Sequence, residues 1–114
     1  MNRLYHKDIY MPAIKFENKS FRLEYKDYVL NRAFEREINL SRFESVNLCN
    51  GELIELETVN RMPVKIVMRY KYNSQYDICI VILLGSFIVK TVWLNHVNDK
   101  HDTLDTSKYY KPRR

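Results

Sequence analysis

One stretch limits what this chain can become. Residues 78–94 (ICIVILLGSFIVKTVWL) are nearly all apolar, rich in β-branched side chains, and interrupted only at Gly85-Ser86 and Lys90. A membrane helix needs about 20 unbroken apolar residues, and this run has neither the length nor the continuity. Residues 78–84 are apolar at successive positions, as a strand covered on both faces requires. Gly85-Ser86 suits a two-residue hairpin turn with glycine first, and residues 87–95 supply the partner strand. The expectation is a buried β-hairpin that anchors the core, in a chain without a membrane span.

The flanking pattern extends that sheet. Val64, Ile66, Met68, Tyr70 and Tyr72 alternate with Lys65, Val67, Arg69 and Lys71, which predicts a strand with one apolar and one mixed face. Residues 52–58 alternate more weakly, and Asn73-Ser74-Gln75 reads as a turn. Together these make an antiparallel meander of about four strands. Upstream, Phe21, Leu23 and Tyr25 alternate with charged residues over a short strand-like window. From Asp27, a reasonable N-cap, Val29, Leu30, Ala33 and Phe34 recur at helical spacing. Ser41-x-x-Glu44 fits a capping box, Phe43, Val46 and Leu48 form a stripe, and Asn50-Gly51 reads as a left-handed helix stop. Ile9, Ile14 and Phe16 suggest a short edge strand. The fold class expected is α+β: two N-terminal helices packed on an antiparallel meander. It forms one domain, with residues 1–20 loosely specified, 21–95 as the core and 96–114 as a polar tail.

Composition narrows the functional classes. With 46% hydrophobic and 29% charged residues the chain is globular, and its two glycines almost exclude a glycine-cradled phosphate loop. Cys49 and Cys79 lack neighbouring ligands at metal spacing, so buried free thiols are favoured, which fits a reducing cytoplasm. The N-terminus has no apolar core of the signal-peptide kind. A net charge of +5 points toward a polyanionic partner. The charge is uneven: residues 39–60 carry Arg42 against Glu44, Glu52, Glu55 and Glu57, while residues 61–75 carry Arg61, Lys65, Arg69 and Lys71 and no acid. Lys65, Arg69 and Lys71 share one face of a strand. They read either as a phosphate-contacting row with tyrosines nearby for stacking, or as a solvated face opposing the acids of residues 52–57.

Candidate chemistry is sparse. His96, Asp99, His101 and Asp102 have a loose metal-like spacing, but a solvated loop is the better reading, and neither metal nor cofactor is expected. No serine sits in a glycine-flanked elbow. Metal-free RNA cleavage needs a base, an acid and cations around the phosphorus. His96, His101, Tyr109, Tyr110, Lys65, Arg69 and Arg36 are residues of the right types.

Tyr28-x-x-x-Arg32-x-x-x-Arg36-x-Ile38, followed by Asn50-Gly51-Glu52, Ile54 and the late Thr91-Val92, resembles an uncharacterised bacterial and phage family. That family belongs to the RelE/BrnT-like group of small ribonuclease toxins. The tail residues Trp93-Leu94-Asn95 and Asp99 to Asp105 resemble phage-borne relatives, and the similarity spans roughly residues 21–109. The resemblance implies a RelE/BrnT-like fold and an RNA-binding domain, either a metal-independent ribonuclease toxin or an inactive relative. Arg32, Arg36, Lys65, Arg69 and Lys71 would hold phosphates, His96, His101 and Arg69 would act in catalysis, and an antitoxin would be a partner. Tyr28 stands where the family usually has histidine, and Glu37 where it has glycine. A rival reading is a non-enzymatic phage or mobile-element protein that binds and inhibits a host protein; a third is a structural domain that dimerises through a strand edge.

Overall fold

The structure, a computed structural model, describes residues 2–5, as backbone, and 17–99. The chain forms strands β1 (Asn2–Tyr5), β2 (Ser20–Arg22) and β3 (Glu24–Tyr25), then helix α1 (Asp27–Glu35). Strands β4 (Ser45–Asn47), β5 (Glu52–Val59), β6 (Met62–Lys71), β7 (Tyr76–Leu83) and β8 (Ile88–His96) follow. Six strands form one sheet in the order β1-β5-β6-β7-β8-β3, and β2 pairs with β4 in a separate ribbon. Strands β5 to β8 are antiparallel neighbours in chain order, whereas β3 lies parallel to β8, with Tyr25 opposite Val89.

This corrects the expected architecture. Among the described residues there is one α-helix, not two, and the sheet is mixed, so the arrangement of two N-terminal helices on a meander is not what the chain adopts. The segment expected as a second helix is a 3₁₀ turn (Ser41–Phe43), strand β4, and another 3₁₀ turn (Leu48–Asn50). A local side-chain bond is part of the reason. The Cys49 N–H, which a helix would bond to the carbonyl four residues back, donates instead to Asn47 Oδ1. A helix of that length is marginal without tertiary support, and here packing favours the ribbon, where Phe21 faces Val46.

Gly51 is also not a left-handed stop. Its φ is −109°, and its lack of a side chain serves a close approach: an added Cβ would lie 2.6 Å from Tyr70 Cε1. The turn at Gly85 is longer than two residues, since Phe87 N–H donates to Leu83 O and Phe87 itself is left-handed at φ 56°. The edge strand expected from Ile9, Ile14 and Phe16 lies outside the described residues, as does the tail from residue 100 onward.

The core has two layers. On one face Ile66, Met68, Ile78, Ile80, Ile82, Val89, Val92 and Leu94 pack with Val29 and Ala33 of α1, and with Phe43, Val46 and Leu48. The opposite face buries Ile54, Val67, Cys79 and Val81, with Trp93 against them. Each fully buried aliphatic side chain contributes about 1.5–3 kcal/mol. Strand β7 is the one whose apolar residues feed both layers most evenly, as its continuous apolar sequence requires. No helix among the described residues is long and apolar enough to cross a membrane.

Candidate nucleic-acid interface

The row of cations on β6 is largely neutralised from within. Lys65 pairs with Glu57 across the β5–β6 ladder at 3.0 Å. Arg69 is only 7% exposed, and each of its three guanidinium nitrogens donates a hydrogen bond within the protein. Nε donates to Asp77 Oδ2 at 2.7 Å, Nη1 to Asp99 O at 2.5 Å and Nη2 to His96 O at 3.0 Å. Arg69 therefore ties the chain leaving β8 to the sheet. Lys71, one pair further along, is the exposed member of the row.

The three residues proposed for catalysis do not meet among the described residues. His96 stacks edge-on against Tyr76, on the face that α1 covers, and its Nδ1 accepts the Asn98 N–H at 3.2 Å. The Arg69 guanidinium lies on the other face, as side-chain alternation along β6 and β8 dictates. His101 lies outside the described residues. No group of three or more His, Cys, Asp or Glu side chains among the described residues is placed to hold a metal ion.

Arg32 and Arg36 do come together, and other side chains join them. Residues 28, 32 and 36 step by four along one flank of α1 and its C-cap, which places them one above another, facing β8. Val29 and Ala33 are buried beneath and fix that orientation. The Tyr28 hydroxyl donates to Lys90 O at 3.2 Å and Arg36 Nη1 to Val92 O at 3.0 Å. Two carbonyls of β8 are thus held by the helix flank. Between helix and strand lies a groove of about 460 Å³ lined by Tyr28, Val29, Asn31, Arg32, Lys90 and Thr91. Arg36 sits one turn beyond. Burial against β8, and next the neighbouring Arg32, lower its pKa from the ordinary guanidinium value, while Glu35 acts the other way. Two like charges held this close favour an anion between them.

Lys90 and Asn31 escaped the sequence reading. The signal was present for Lys90, a single cation inside an apolar strand, but only the helix position shows that it faces Arg32. A separate feature lies on the opposite flank of α1: Phe34 is 85% exposed and Leu30 44%. Leu30 borders a second groove, of about 730 Å³, floored by Leu23, Tyr25 and Leu40.

Comparison with known proteins adds no relative: no family model, curated protein or solved structure matches the chain. The RelE/BrnT resemblance therefore rests on its short motifs alone.

Proposed function

We propose that this chain is a small RNA-binding domain that grips phosphates in the groove between α1 and β8. The observation that carries the reading is the convergence of Arg32, Lys90 and Arg36 beside the half-exposed ring of Tyr28. No carboxylate is among the residues lining the groove. Cations alone would bind any polyanion. An aromatic face fixed beside them by its own hydroxyl adds a stacking platform for an unpaired base, which favours single strands. The reading is of binding without catalysis, because the His96 ring and the Arg69 guanidinium lie on opposite sides of the sheet and Arg69 is consumed by its own contacts.

Fluorescence anisotropy with a labelled single-stranded RNA at low salt tests it. The double variant Arg32→Ala/Lys90→Ala is expected to bind about tenfold more weakly or worse, since each lost phosphate contact removes released counterions. Unchanged affinity would overturn the proposal.

The host-protein reading has one specific observation behind it, the apolar pair Leu30 and Phe34 on the far flank of α1. Its test is independent: Phe34→Ser should abolish capture of a protein partner while leaving RNA affinity unchanged.

A further inference from the structure

On the flank of α1 turned away from β8, an apolar knob stands beside an apolar groove. Phe34 is 85% exposed, and Leu30, one turn before it on the same flank, is 44% exposed. Leu30 also forms one lip of the groove of about 730 Å³ whose floor is Leu23, Tyr25 and Leu40. Single apolar side chains on a surface are ordinary, but an aromatic ring at the mouth of an apolar groove makes a continuous patch.

The groove is preformed. The Tyr25 hydroxyl donates to Phe43 O at 2.6 Å and the Leu23 N–H to Glu44 O at 2.9 Å, which fixes the floor against the segment from Leu40 to Glu44. Its rim carries Arg22, Glu24, Ser41 and Glu44, all exposed. Glu24 is paired with Lys26 at 3.3 Å, whereas the Arg22 and Glu44 side chains form no ion pair among the described residues. Knob, groove and one unpaired charge of each sign therefore share a single patch.

A surface that holds both halves of its own complement is what a two-fold dimer requires, since each copy offers the other the same patch. We propose that this flank of α1 docks a second copy of the chain: Phe34 of each copy enters the groove of the other, and Arg22 of each faces Glu44 of the other. A partner carrying one sign of charge would meet a like charge at one of those two side chains. Phe34 brings about 150 Å² to the contact. With Leu30 and the groove floors, the two copies together bury roughly 1,000 Å², the lower limit of a specific interface. The dimer is therefore a weak one, formed at about 100 µM protein and dissociated at about 1 µM. A second copy thus takes the flank on which the host-protein reading rests. The α1–β8 groove stays open on the other flank, so the dimer does not depend on RNA binding.

Sedimentation equilibrium between about 1 and 500 µM tests it. The parent is expected to pass from monomer to dimer over that range, and Phe34→Ser, a change at an exposed position, to stay monomeric. Arg22→Glu and Glu44→Arg should each weaken self-association by about tenfold, because like charges then meet at both symmetry-related contacts. Mixed together, those two variants should associate at least as tightly as the parent, because every such contact again joins opposite charges. A parent that remains monomeric at about 500 µM overturns the proposal. A dimer that persists in Phe34→Ser overturns it too, by placing the interface elsewhere on the molecule. Failure of the mixed variants to associate contradicts the two-fold pairing. If the parent is monomeric throughout and Phe34→Ser loses a bound host protein, the flank belongs to a foreign partner instead.

Discussion

At the scale of single residues, Arg69 shows how charge in a sequence can mislead. It sits in the most basic stretch of the chain and shares its strand face with Lys65 and Lys71, yet it is a buried tie between β6, Asp77 and the carbonyls of His96 and Asp99. Truncation would strand Asp77 and several carbonyls at once. Arg69→Ala should therefore cost about 3–5 kcal/mol in urea denaturation while RNA affinity, measured well below the midpoint, stays as it was. Gly51 makes a comparable point. The Tyr70 ring is pinned by its hydroxyl to Asn47 O at 3.0 Å, so it cannot move aside for a new methyl group. Gly51→Ala should destabilise by about 1–3 kcal/mol, an overpacking cost unrelated to backbone conformation.

The thiols differ in the same residue-level way. Burial pushes the Cys79 thiol up to about 12 from 9.0, while Cys49 is exposed. A thiol reagent at neutral pH should label Cys49 in the native protein and reach Cys79 only on unfolding. The raised value also has a consequence for stability. Above about pH 9 the unfolded state releases a proton that the native state keeps, so stability falls as pH rises toward 12, by up to about 1.4 kcal/mol per pH unit from this group. Burial also raises the phenols of Tyr25 and Tyr70, which adds a loss of the same sign at higher pH. Urea midpoints measured across the alkaline range check this, and a stability that rises with pH there would contradict it.

At the scale of elements, α1 is a short helix held by two buried side chains and two bonds to β8. Arg36→Ala removes one of those bonds and should cost about 1 kcal/mol, seen as faster amide exchange in α1. How legible each element was follows from what fixes it. Strands β6 and β7 are set by burial on the sheet, and their two-residue alternation and continuous apolar run are written in the residues from Val64 to Leu83. The flank Tyr28–Arg32–Arg36 was legible too, because a four-residue step places residues together in any helix. The segment from Ser41 to Asn50 was not. Its capping-box pattern is a local signal, and the outcome was decided by Asn47 bonding to the Cys49 N–H and by the pairing of β4 with β2. Strand β3 lies inside the short window where Phe21, Leu23 and Tyr25 alternate with charged residues, but nothing in that window marks its parallel pairing with β8. The groove was half legible for the same reason: its helix side lies in one segment, while Lys90 arrives from a strand more than fifty residues away.

At the scale of the whole molecule, the net charge of +5 is not spread as the linear sequence suggests. Internal pairing removes Lys65 and Arg69 from the surface, stacking on Phe43 and Tyr72 occupies Arg42, and the exposed cations Arg32 and Lys90 converge between α1 and β8, with the half-buried Arg36 one turn beyond. Binding through three such contacts should weaken with salt at a slope of about −2 in log–log form, as expected for a single strand. The most direct measurement compares two charge-removal variants against the same RNA at low salt. Arg32→Ala/Lys90→Ala should lose about tenfold or more in affinity, with Lys65→Ala/Lys71→Ala within about twofold of the parent. Loss in the second variant with retention in the first would contradict a site between α1 and β8 and return it to the face of β6.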